Sequence, residues 1–101
     1  MMTSKNEGNI QGPSISESGE ITTLIDLPEG GRGIILKAMG GFGFVRRLAE
    51  MGLTPGVEVK LIRKSPLGGP VEIEVRGVAL ALGRGVASKV FVKPIKADPR
   101  D

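Results

Sequence analysis

Residues 44–56, FVRRLAEMGLTPG, read as a short helix, a firm stop and a tight turn aimed into a strand. In a helix, Phe44, Val45, Leu48 and Met51 fall on one side with the i, i+3, i+4, i+7 spacing of a buried stripe. Arg46, Arg47 and Glu50 fall on the other, where Glu50 sits four residues from Arg46 and three from Arg47. Such exposed ion pairs are worth roughly 0.2 to 0.5 kcal/mol each. The helix is predicted to stop at Gly52 in the left-handed conformation, with Leu53 over Leu48 as in a Schellman cap. Thr54-Pro55-Gly56-Val57 then has proline and glycine at the positions a type II turn requires. A helix of two turns does not hold together alone in water, so it must be a lid on the strands around it.

Those strands can be read outward from it. Val57 to Lys64 alternates Val57, Val59 and Leu61 against Glu58, Lys60 and Ile62, with Ile62 the one apolar residue on the outer face. Val71 to Arg76 places Val71, Ile73 and Val75 inward and Glu72, Glu74 and Arg76 outward. The loop Ser65-Pro66-Leu67-Gly68-Gly69-Pro70 joins them as a hairpin with Leu67 at its tip. Arg76-Gly77 turns the chain into Val78 to Leu82, with Val78, Leu80 and Leu82 predicted inward. Gly83 to Ser88 suits one tight helical turn, and Val90 to Lys93 a last strand before Pro94. Upstream of the lid, Arg32 to Met39 reads as the first strand, with Ile34, Leu36 and Ala38 on one face. Before that, Thr22 or Thr23 can cap a single turn ahead of Asp26, with Leu24 and Leu27 inward and Pro28-Glu29-Gly30-Gly31 as the break. Gly40-Gly41-Phe42-Gly43 reads as a flexible link that lets the chain turn sharply into the helix. It is not a phosphate loop, since no Lys-Ser/Thr follows it and no GxGxxG is present.

Composition bounds the chemistry. The chain has 101 residues, one domain at most, with 40% apolar residues to build a small core. It contains no cysteine and no histidine, which removes disulfides, thiolate nucleophiles, imidazole bases and the usual zinc sites together. Every serine and threonine therefore lacks a histidine partner, and no enzyme activity or cofactor is expected. No apolar run is long enough to span a membrane and the polar start does not resemble a signal peptide, so a cytoplasmic location is the expectation. Sixteen glycines and seven prolines imply many turns. With five short strands, a one-turn helix near the fourth and a lid helix after the first, the expected fold is mainly β, a small, partly open SH3-like barrel. Residues 1–20 are polar and aperiodic, a disordered tail by composition, and 96–101 a polar end around the domain 21–95. In the tail Lys5 stands against Glu7, Glu17 and Glu20, a net −2, which leaves +5 for the rest of a chain whose total is +3.

The ordered run of Leu24, Leu27 and Gly30, then RRLAEMGLTPG, then SPLGGPVEIEVRG, then an A-L-G-R-x-x-A ending resembles the FeoA family over about three quarters of the chain. Arg47, Leu48, Gly52, Leu53, Pro55 and Gly56 match the helix-and-turn motif, and Pro66, Leu67, Gly68 and Pro70 match the hairpin motif. One departure is Gly69, which stands where the family often has an acidic residue. The resemblance implies a small cytoplasmic SH3-like domain of ferrous iron uptake that docks on the GTPase portion of the FeoB membrane iron transporter.

The expected docking surface combines the hairpin tip, Pro66, Leu67 and Gly68, with Arg46 and Arg47 on the wet face of the lid helix. A large leucine at the tip of a turn needs either a partner or packing back on the barrel. No metal site is expected, because Glu58, Glu72 and Glu74 alternate outward beside Lys60 in the manner of an ordinary solvated face. Two further readings are open at this point. One is a nucleic-acid-binding barrel, favoured by Arg46, Arg47, Arg63, Lys64, Arg76 and Arg84 but opposed by the count of only three phenylalanines and no Tyr or Trp for base stacking. The other is the SH3-like regulatory domain of a metal-responsive repressor, which normally follows a winged helix. Weak homo-oligomerisation through open strand edges is a further expectation.

Overall fold

The computed structural model describes residues 20–95. The predicted tail, Glu20 apart, and the 96–101 end lie outside the described residues. Six antiparallel strands form one sheet: β1 (Thr22–Thr23), β2 (Arg32–Ala38), β3 (Glu58–Lys64), β4 (Val71–Val75), β5 (Val78–Leu82) and β6 (Val90–Ile95). Their spatial order is β1-β6-β2-β3-β4-β5, so the curled sheet stays open between β1 and β5. This is the partly open barrel expected, with the two-residue β1 added because Thr22 and Thr23 find partners on β6.

The lid helix α1 (Phe42–Glu50) ends as predicted. Leu53 N–H bonds to the Leu48 carbonyl at 2.9 Å and Gly52 N–H to the Ala49 carbonyl at 2.9 Å, the paired bonds of a Schellman motif, with Gly52 at φ +88°. Val57 N–H then reaches the Thr54 carbonyl at 3.2 Å across a turn in which Gly56 has φ +90°. The chain enters β3 with Val57, Val59 and Leu61 buried, opposite Val71, Ile73 and Val75 of β4.

Several expectations need correction. The lid stripe is narrower than its pattern, for Leu48 is buried and Phe44 half-buried while Val45 and Met51 are exposed. In β2 the buried residues are Gly33 and Ile35, whereas Ile34 and Leu36 are only half-buried. A bulge between Ile35 and Lys37 resets the alternation, which is why Ala38 still packs on the core. A second irregularity, between Leu61 and Arg63, accounts for the out-of-pattern Ile62. Val78 is 56% exposed, because β5 runs past the end of the core and only Leu82 on that face is fully buried.

A further correction concerns the 40–43 link. The helix already begins at Phe42, and none of these glycines has positive φ. Gly40 is needed for space: a Cβ there would stand 2.4 Å from Cδ2 of the Phe44 ring. Gly40→Ala is therefore expected to displace Phe44 and cost about 1 kcal/mol, read as a lowered Tm. Leu24, which opens the 3-10 turn Leu24–Asp26, Leu27, which follows it, and Ala87 of the short helix α2 (Arg84–Ala87) complete the core. The Thr23 hydroxyl donates to the Asp26 carboxylate at 2.7 Å rather than capping a backbone N–H.

Candidate docking surface

The 65–70 loop is short and well tied. Ser65 N–H bonds to the Pro70 carbonyl at 3.1 Å and Gly69 N–H to the Pro66 carbonyl at 3.3 Å, closing a single 3-10 turn over Pro66–Gly68. Within it Leu67 has φ 60° and ψ 33°, and Gly68 follows at φ 77°. A non-glycine residue in this region is uncommon and costs about 1 kcal/mol or more. The side chain recovers nothing by packing, since Leu67 is fully exposed. The alternative of a leucine folded back on the barrel is thus absent from the structure.

What holds the tip is Arg84, which the sequence places only among general basic residues. Its Nη2 donates to the Ser65 carbonyl at 3.1 Å, and its Nε is buried with no hydrogen-bond partner. The contact spans nineteen positions of sequence and no local pattern announces it. On α1, Arg46 and Arg47 are exposed, and Arg46 makes one long ion pair with Glu50 at 3.9 Å. Among the described residues no hydrogen bond or ion pair joins either arginine to the 66–68 tip.

Beside the arginines lies an apolar stripe that sequence reasoning missed. Phe42 is 85% exposed and Val45, three residues on, is 40% exposed, with Met39 half-exposed just before the helix. The signal was available in the i, i+3 spacing of Phe42 and Val45, once the helix is known to begin at Phe42. Phe44, by contrast, turns inward and carries Lys89 over its ring at 5.6 Å.

The charged outer face neutralises itself. A cleft of about 870 Å³ is lined by Arg32, Glu58, Lys60, Glu74 and Arg76 together with turn glycines. Across it Arg32, Lys60 and Glu74 stand in register on β2, β3 and β4, and Arg32 pairs with Glu58 at 3.4 Å. Glu72 is held by Arg63 at 3.0 Å. Among the described residues no three His, Cys, Asp or Glu side chains converge to hold a metal ion. The same pairs occupy several of the cations that a nucleic-acid surface would need free, since Arg46 and Arg63 face carboxylates and Arg84 faces a carbonyl. No helix among the described residues is long and apolar enough to cross a membrane.

Comparison with known proteins agrees with this architecture. The sequence pattern of the FeoA domain family matches residues 22–94. Fe(2+) transport protein A of Methanocaldococcus jannaschii is 40% identical over 65 residues, 64% of this chain and 77% of that protein. The crystal structure of an iron uptake regulatory protein (FeoA) superposes with a TM-score of 0.70 at 34% identity, over 75% of this chain and all of that one. The FeoA of Stenotrophomonas maltophilia, solved with zinc and described as a procaryotic SH3 domain protein, gives a TM-score of 0.62 at 29% identity, covering 71% of this chain and 89% of that one.

Proposed function

Because the chain belongs to the FeoA family, we propose that it is a non-catalytic cytoplasmic accessory protein of ferrous iron uptake, docking on the GTPase portion of the FeoB membrane transporter. The observation that carries this reading is Leu67: fully exposed and left-handed, in a loop that Arg84 ties at the Ser65 carbonyl, it is an apolar group presented at a cost to the fold. Such an anchor suits a pocket on a partner protein, where a single buried side chain supplies much of the binding energy. Arg46 and Arg47 steer the approach from the lid helix, beside the exposed Phe42 and Val45.

The direct test is chromatography of the protein with and without the detergent-solubilised transporter. Co-migration supports the reading, and separate elution at every salt concentration sinks it. The arginines have their own signature. Arg46→Glu with Arg47→Glu is expected to weaken binding several-fold at low salt. The difference should fade as the screening length falls to about 8 to 10 Å near physiological ionic strength.

A further inference from the structure

We propose that β5 is a self-complementary edge, through which two copies of this chain pair as antiparallel strands about a two-fold axis at Leu80. The argument begins with the backbone. Val75 and Val78 close a two-residue hairpin in which Arg76 and Gly77 both have positive φ, 53° and 81°. Such turns close on a hydrogen-bonded pair, so Ile73 with Leu80 and Val71 with Leu82 exchange bonds as well. The N–H and C=O of Ala79 and Ala81 consequently point away from β4. β5 is the last strand of the sheet, and no loop or turn hydrogen bond among the described residues reaches either alanine.

A second β5 set antiparallel about Leu80 satisfies all of these groups. Ala79 then faces the partner's Ala81 as a hydrogen-bonded pair, the symmetric pair does the same, and four ladder bonds result. No other register centred on this strand uses every free group on both copies. The side chains agree with it. Val78 meets the partner's Leu82 and Leu80 meets the partner's Leu80 on the core side, which covers the 56% exposed Val78 and the half-buried Leu80. On the opposite side the edge presents only the small side chains of Ala79 and Ala81, which border an open groove of about 310 Å³.

The edge also lacks the usual defences. Residues 77–83 contain no charge and no proline, and the two register irregularities of the sheet lie in β2 and β3. The other edge, β1, is protected by being two residues long. At each end of the proposed pair Arg76 comes opposite the partner's Arg84, but Arg84 is tied back to the Ser65 carbonyl. The remaining repulsion makes association stronger as salt rises, the opposite of the trend expected for Arg46 and Arg47. Two five-residue strands cover less than the roughly 1,200 to 2,000 Å² of a standard interface, so the dimer is a weak one that concentration brings out.

Sedimentation equilibrium of the full chain up to about 1 mM, at low and high salt, tests the proposal together with amide exchange at Ala79 and Ala81. The expected result is an average mass rising above 10.6 kDa with concentration, more steeply in high salt, and protection of both amides rising in step. Ala81→Pro removes an N–H that the monomer does not use, and Ala79→Lys places a charge on the edge. Each should weaken association at least tenfold with the monomer's Tm nearly unchanged, and the second guards against a proline variant that fails to fold. A chain that is monomeric at about 1 mM overturns the proposal, as does self-association that Ala79→Lys leaves intact. Amides equally protected at every concentration also overturn it, for then another segment of the same chain covers the edge. None of these outcomes depends on the transporter, so this proposal and the docking proposal fail separately.

Discussion

Gly52→Val is expected to lower stability toward the upper end of the roughly 1 to 3 kcal/mol that a strained backbone costs, because Gly52 sits at φ +88° at the end of the lid helix. Space is not the reason, since a Cβ would find only Val75 Cγ1 at 3.7 Å, an ordinary contact. The penalty is conformational: a β-branched residue resists positive φ, and its retreat breaks the bonds from Gly52 and Leu53 to the carbonyls of Ala49 and Leu48. With them goes the placement of Leu48 and Leu53, both buried. In a domain of this size about 1 kcal/mol moves Tm by roughly 4 to 8 °C, so thermal unfolding should show a fall of about ten degrees or more. An unchanged Tm would mean that the cap contributes nothing.

Leu67→Asp should do the reverse, leaving the fold nearly intact while removing the proposed docking anchor. The leucine is fully exposed, so its loss leaves no cavity. Aspartate also tolerates the left-handed region better than leucine does, which makes the substitution neutral or slightly favourable at φ 60°. Binding to the transporter's cytoplasmic domain is expected to weaken by about 2 kcal/mol, roughly 30-fold, as for a central apolar contact. That loss should persist at high salt, unlike the effect of the arginine reversals. Unfolding of the variant, or binding equal to that of the parent protein, would move the docking site elsewhere.

The contrast between these two positions shows what can be read from residues in order. Gly52 and Gly56 were legible because caps and turns are local, decided by residues within a few positions of one another. β3 and β4 were legible because Val59 and Leu61 alternate regularly against Val75 and Ile73, and the one irregularity comes only after Leu61. The facing of β2 was not, since one extra residue at the bulge near Leu36 means that an alternation that is right for Ala38 is wrong for Ile34 before it. Val45 and Met51 were misplaced for a different reason. A nine-residue helix at the rim of a small barrel covers a narrow strip, and a pattern of spacing says nothing about how wide the surface beneath it is. Leu67 was legible as a candidate, but the guanidinium that fixes it was not. Arg84 reaches Ser65 only after β4 and β5 have folded back to bring them together.

The shortest strand of the sheet carries a consequence for the chain as a whole. Thr22 lies opposite Val92 and Thr23 opposite Phe91, so the domain is entered beside its last strand, with Ile95 only about 10 Å of strand beyond Val92. The path from 22 to 95 is therefore nearly a ring. A ring has no privileged starting point: a few residues linking its ends, and a cut at the exposed Arg76-Gly77 turn, would reorder the sequence while keeping every strand pairing except the continuity of one hairpin. For the same reason such a unit can be spliced into a surface loop of a larger protein while opening that loop only slightly, carried there as a pendant whose two strings hang close together.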